Sequence, residues 1–141
     1  MSENDGLERF LPAHRGSFPD ALREIESGRK RSHWMWYIFP QLRGLGHSST
    51  AMYYGIRDEA EARAFLADPY LGGSLVRICR ALLELPGNDA YAVFGWPDEM
   101  KLRSSMTLFA AVSEQGSVFE QVLQKYFRGS PDEITLSMLG R

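Results

Sequence analysis

Apolar positions recur three and four residues apart along most of this chain, the spacing of helices that bury one face. The clearest run covers 70–85, where Leu71, Leu75, Ile78, Cys79, Leu82 and Leu83 share a stripe that Pro86-Gly87 breaks. Val118, Phe119, Val122, Leu123, Tyr126 and Phe127 form a second stripe. Shorter ones are Phe18, Leu22 and Ile25, then Ala62, Phe65 and Leu66, then Leu102, Met106 and Phe109. Polar residues mark the starts. Ser17 reads as an N-cap with Pro19 and Asp20 in its first turn. Asp58 with Glu61, and Ser117 with Glu120, have the spacing of a capping box, and Ser130, Pro131 and Glu133 make a third such start. Asn88 or Asp89 caps a short helix through Phe94, and Trp96-Pro97-Asp98 opens another. Further short helices are expected over 7–13 and Ser49–Tyr54, and over the last turn containing Ile134, Leu136 and Leu139, with 41–48 a loop. Gly28, Gly55, Gly95 and Gly116 are the stops.

The run 34–39, Trp-Met-Trp-Tyr-Ile-Phe, fits neither period. Its aromatics favour a strand, but no second strand candidate lies nearby to pair with it, so a helix is expected. No alternating pair of runs with a tight turn, no repeat and no linker appears. The pattern therefore predicts an all-α fold: a compact, irregular, orthogonal helical bundle of about six to eight helices. Residues 1–141 read as one domain, with 1–6 disordered.

Composition narrows the class. A net charge of −2 argues against a protein that coats nucleic acid. The single cysteine, Cys79, forms no internal disulfide, which points to a reducing cytoplasm. No signal segment and no membrane span is expected. Oligomeric state is left open.

Chemistry concentrates in 28–46. Arg29, Lys30 and Arg31, with Arg43 beyond, have the charge to neutralise a phosphate. Trp34 or Trp36 offers a face for a base or a cation. His33 stands beside the cations and can move a proton near neutral pH. The structural alternative is a solvated cationic run compensating a helix C-terminus, with tryptophans that simply pack. A second cluster lies in 98–107. On a helix, Lys101, Ser104, Ser105 and Leu108 share a face, where small hydroxyls beside a lysine suit an anionic or sugar ligand. Its alternative is close helix packing at the serines and a Lys101–Asp98 surface pair. Cys79 sits in an apolar stripe and is expected in the core. Zinc, EF-hand, P-loop, dinucleotide and nucleophile-elbow motifs are absent, so no metal and no cofactor is expected. Asp89 and Asp98 are acids that can serve as a general base, or merely cap helices.

The motifs Ser32-His33-Trp34-Met35-Trp36-Tyr37-Ile38-Phe39-Pro40-Gln41, Gly44-Leu45-Gly46, Tyr54-Gly55-Ile56, Asp68-Pro69-Tyr70-Leu71-Gly72 and Phe94-Gly95-x-Pro97-Asp98-x-x-Lys101-Leu102-Arg103-Ser104-Ser105-Met106-Thr107-Leu108-Phe109 span nearly the whole chain. They resemble the bacterial domain-of-unknown-function 1810 family, sometimes labelled calpastatin. The resemblance implies a small all-helical fold and no established activity, and no disordered inhibitory repeat supports the calpastatin label. A fainter similarity, in the order of Asp68-Pro69-x-Leu71, Asn88-Asp89, Phe94-Gly95, Leu102 and Met106, is to the NADAR (YbiA-like) N-glycosidases. Phe94-Gly95 replaces their Trp-Gly pair and Lys101-Leu102-Arg103-Ser104 their Asn motif, so no catalytic role carries over.

These features converge on one expectation. A pocket between 33–41 and 98–107 binds a small anionic, nucleotide- or ribose-like ligand. In it Trp34 or Trp36 stacks, Gln41 lines the wall, Arg29, Lys30, Arg31 and Lys101 meet phosphate, and Ser104 or Ser105 bonds hydroxyls. If bonds are cleaved there, N-glycosidic hydrolysis fits best, with Asp98 or Asp89 as base and His33 as proton carrier. The rival is a non-enzymatic interaction domain that presents the aromatic stretch 33–41 to a protein partner.

Overall fold

A computed structural model describes residues 6–141. The expected disorder at 1–6 falls outside these residues, except for Gly6, which opens a 3-10 turn at Leu7–Arg9. Among the described residues nine α-helices follow: α1 Leu11–Glu26, α2 Met35–Ile38, α3 Ser49–Tyr54, α4 Glu59–Ala67, α5 Pro69–Glu84, α6 Ala90–Phe94, α7 Asp98–Ala111, α8 Val118–Phe127 and α9 Glu133–Met138. The fold is all-α. One isolated parallel bridge, Leu42 to Ile56, is the sole β pairing among the described residues. The short α2, α3, α6 and α9 carry the number of helices past the six to eight of the pattern.

α5 and α7 form the centre. α5 packs on α1, α4 and α8, and α7 on α4, α6, α8 and α9. The α5 stripe is buried as its period demands: Leu71, Leu75, Ile78, Cys79 and Leu82 are all inaccessible. Each such side chain contributes roughly 1.5–3 kcal/mol of burial free energy. Asp68 ends α4 and caps α5, accepting Leu71 N–H at 2.8 Å, with Pro69 in the first turn. Gly72 makes the α4–α5 corner possible. A Cβ there would lie 2.0 Å from the Leu66 carbonyl oxygen. At the other end of α5, Lys125 of α8 donates to the carbonyls of Leu82 (3.1 Å), Leu83 (2.9 Å) and Leu85, satisfying orphan helix-end acceptors.

Three predicted starts are corrected. The 7–13 helix and the Ser17 N-cap give way to one helix, α1, which runs through both Pro12 and Pro19. Pro12 stands in the first turn, where its missing N–H costs nothing. Pro19 is tolerated because His14, Phe18, Ala21, Leu22 and Ile25 bury one continuous face. Ser17 instead shares a 2.8 Å hydrogen bond with the Tyr37 hydroxyl. At α9 the cap is Asp132, which accepts Thr135 N–H at 2.9 Å, while Ser130 receives the Arg103 guanidinium. Ile134, expected inside, is 62% exposed and Thr135 is buried in its place. The other starts stand: Asp58 accepts Glu61 N–H at 2.9 Å, Ser117 accepts Glu120 N–H at 3.3 Å, and Asp89 rather than Asn88 caps α6.

The first described turn is locked to the rest by charge. The Arg9 guanidinium grips the Glu61 carboxylate at 2.8 and 3.0 Å and also donates to the carbonyls of Tyr53 and Gly55 at 2.7 Å each. Arg57 adds its side chain at 3.0 Å and its N–H at 2.9 Å. Burial pushes the Glu61 carboxyl upward, but the hydrogen bonds of Arg9 and Arg57 and their charges outweigh it and hold it below the usual carboxylate range. Arg9→Met or Glu61→Leu alone leaves a buried charge without its partner. Each is expected to cost about 3–5 kcal/mol in urea unfolding, and the double variant clearly less than the sum of the two.

His14 is a second buried polar anchor, with Nδ1 2.9 Å from the Tyr70 hydroxyl and its ring stacked on Phe18. Burial lowers its pKa from 6.5 to about 4, against its own backbone hydrogen bond and Asp68, which pull upward. The unfolded chain therefore binds this proton first as the pH falls. His14 stabilises the fold fully above pH 6.5 and loses up to about 3 kcal/mol of that between pH 6.5 and 4. Stability measured at pH 7 and 4.5 is expected to differ less in His14→Gln than in the wild type.

Candidate functional site

The site grows from the end of α1. Gly28, at φ 88°, closes the helix with Gly28 N–H to Ile25 carbonyl at 2.8 Å and Arg29 N–H to Glu24 carbonyl at 3.1 Å. The next residue is tied to α6 through Lys30 N–H and the Val93 carbonyl at 2.8 Å. Glu24 then gathers the following segment. Its carboxylate accepts Arg31 N–H at 2.7 Å, Ser32 N–H at 2.9 Å, the Ser32 hydroxyl at 2.6 Å and the Trp34 indole N–H at 2.9 Å. Partial burial pushes Glu24 upward, but these four bonds outweigh it and hold its pKa at about 2.

The ambiguous run is helical at its centre, as expected, and most of it is core. Trp34, Met35, Ile38 and Phe39 are buried, and Phe94 packs edge-on against both Trp34 and Phe39. Trp36 and Tyr37 remain half-buried. Across from them stands the first turn of α7. Asp98 holds one lysine on each oxygen, Lys30 at 2.9 Å and Lys101 at 3.2 Å. Lys30 lies 5.0 Å over the Trp34 ring and Lys101 4.0 Å over the Trp36 ring. Two ammonium groups, one carboxylate and two indoles thus interleave, with one positive charge in excess.

The fold accordingly brings together Trp36, Asp98 and Lys101 from segments distant in sequence. Arg31 and His33 are exposed on the segment leading into α2, and Gln41 is half-buried beyond it, its carbonyl accepting Ile56 N–H at 2.9 Å. Three other candidates are withdrawn from solvent. Trp34 is buried with its N–H spent on Glu24. Ser104 is buried and donates to the Met100 carbonyl at 3.2 Å. Ser105 is fully inaccessible, because α7 buries both of its flanks against α4, α6, α8 and α9. Asp89 caps α6 and lines cavities of about 410 and 370 Å³ that include none of Trp36, Asp98 and Lys101.

One participant escaped sequence reasoning, and another is placed otherwise than expected. Lys30, expected beside Arg29 and Arg31 either to meet phosphate or to lie solvated, has a side chain only 8% exposed and ion-paired. Glu24 carries no local signal at all, since its four partners lie seven to ten residues further on. Cys79 is in the core as expected, its thiol 3.6 Å from Met106 sulfur and made less acidic by burial. Among the described residues no cluster of three or more His, Cys, Asp or Glu could hold a metal, and no helix is long and apolar enough to cross a membrane.

Fold and site together define a helical protein with a lysine–carboxylate–tryptophan cluster between the end of α1 and the start of α7. The chain belongs to the family described as protein of unknown function DUF1810, whose model matches residues 4–139. It is similar to a solved structure, the conserved hypothetical protein Rv1873 from Mycobacterium tuberculosis. The TM-score is 0.95 at 40% identity over 99% of each chain. None of the curated proteins compared matches it.

Glu24 sets a testable pH dependence. Its folded pKa lies below the ordinary 4.5, so its contribution is present above pH 4.5 and disappears as the pH falls toward 2. Glu24→Gln is expected to be less stable than wild type at pH 7. The gap should close progressively in acid-unfolding curves below pH 4.5.

Proposed function

We propose that this protein binds a small anionic, nucleotide- or ribose-like ligand at the surface of Trp36, Lys101 and the exposed 31–33 segment. The observation that supports this most is the Lys101 ammonium, 4.0 Å over the half-buried Trp36 ring and sharing Asp98 with Lys30. A partly exposed ion pair of this kind is worth at most about 1 kcal/mol. A phosphate that gains charge-assisted hydrogen bonds, each worth about 1.5–3 kcal/mol, competes successfully with Asp98 for Lys101. Arg31 and His33 add further donors from the neighbouring segment, and the indole supplies a stacking edge for a base. Because Lys30 neutralises Asp98, the carboxylate does not repel the incoming anion.

Binding is favoured over glycosidic cleavage. Each oxygen of Asp98 already accepts a lysine, and Asp89 is spent as a helix cap. The rival interaction domain keeps only Trp36 and Tyr37 of its aromatic surface, since Trp34, Met35, Ile38 and Phe39 are core. The lone buried Cys79 supports a reducing cytoplasm as the compartment.

The test is thermal denaturation with AMP and ADP-ribose, read alongside tryptophan fluorescence. Ligand at a hundred times its Kd is expected to add about 2.7 kcal/mol, a shift of several degrees. Lys101→Ala and Trp36→Leu should fold and lose that shift. A shift of equal size in both variants, or none in the wild type, overturns the assignment.

A further inference from the structure

We propose a second, separate site: the cavity where the loop after α2, the start of α4 and the end of α9 meet, binding a small apolar carboxylate through Arg43. The cavity is about 420 Å³, within the range of small-ligand sites, and Leu42, Arg43, Arg57, Asp58, Glu59 and Met138 are among its lining residues. It shares no residue with the Trp36–Lys101 cluster.

Arg43 is held there by its backbone. Its N–H donates to the Ile56 carbonyl at 2.8 Å, and Gly55 lies so close that a Cβ on it would be 2.6 Å from Arg43 Cα. The pairing of 41–43 with Ile56 fixes the backbone of this arginine, whose side chain is half-buried. Yet Arg43 Nε is buried with no hydrogen-bond partner, and the guanidinium makes no ion pair among the described residues. The two terminal nitrogens, unlike Nε, are not closed off, and they have no hydrogen-bond partner among the described residues, so they stand ready for an acceptor in the cavity.

The other charges on the wall are already engaged. Asp58 accepts Glu61 N–H, Arg57 pairs with Glu61, and Glu59 pairs with Arg141 at 3.1 Å and Arg63 at 3.5 Å. The two terminal nitrogens of the Arg43 guanidinium match a carboxylate, which can accept from both side by side. The acids beside it favour a single negative charge over the double charge of phosphate, since like charges repel. Leu42, Met138 and Leu139 give the ligand's other end an apolar wall. The chemistry recognised is thus that of a short aliphatic or aromatic monocarboxylate.

The experiment is titration by ¹H–¹⁵N spectra with hexanoate, benzoate and inorganic phosphate. Wild type and Lys101→Ala are expected to bind the carboxylates alike, with shifts centred on 42–43 and 57–60. Arg43→Met, which keeps the stem and removes the fork, should bind at least about tenfold more weakly, a loss of one charge-assisted contact. Met138→Trp, a change at a half-exposed position that fills the cavity and leaves Arg43 intact, should also abolish binding. Full binding by either variant, no binding by wild type, or phosphate bound as tightly as hexanoate overturns the proposal. The Lys101→Ala arm separates it from failure of the first site.

Discussion

Glu61 is the point on which the arrangement hangs. Its carboxylate is 1% exposed, deep enough that it is tolerable only because arginines from both sides claim it. Arg9 reaches it bidentately from the 3-10 turn and, with the same guanidinium, takes the carbonyls of Tyr53 and Gly55 at the end of α3. Three stretches of backbone are thereby fixed to one another. The effect propagates, because Gly55 rests on Arg43 and Ile56 pairs with Gln41 and Arg43. The loop that leaves α2 inherits its position from this carboxylate.

A second carboxylate does similar work on the other side. Glu24 leaves α1 and holds 31–34 by four hydrogen bonds, which fixes where Trp34 enters the core. That placement sets Lys30 over the Trp34 ring and in reach of Asp98. The cluster therefore rests on α1, α6 and α7 together. The meeting of two lysines on one carboxylate is a product of packing.

Much of this was legible in the chain. The α5 and α8 stripes, the caps at Asp58, Ser117 and Asp89, and the choice of helix for 34–39 follow from local spacing and from capping chemistry that acts over three residues. The pairing of Asp98 with Lys101 sits at the same range. The resemblance to the DUF1810 family was equally visible, since it rests on contiguous motifs, and the family match bears it out. What misled was local too. Ser17 has a good N-cap's chemistry and a proline behind it, but a five-residue buried face, four of its members apolar, overrode both. Ser104 and Ser105 have the spacing of a ligand face, yet α7 is wrapped on too many sides to offer one.

The sequence by itself determined the class, the helix faces and the segments where charge and aromatics accumulate. Those are properties of spacing along a chain, and a helix reads spacing directly. Only the tertiary structure decided which cation of the Arg29–Lys30–Arg31 run is buried, which of Trp34 and Trp36 stays half open, and which arginine Nε is buried without a hydrogen-bond partner among the described residues. Those depend on contacts between residues tens of positions apart. Lys30 and Asp98, or Arg9 and Glu61, carry no mark of each other until packing removes the water between them.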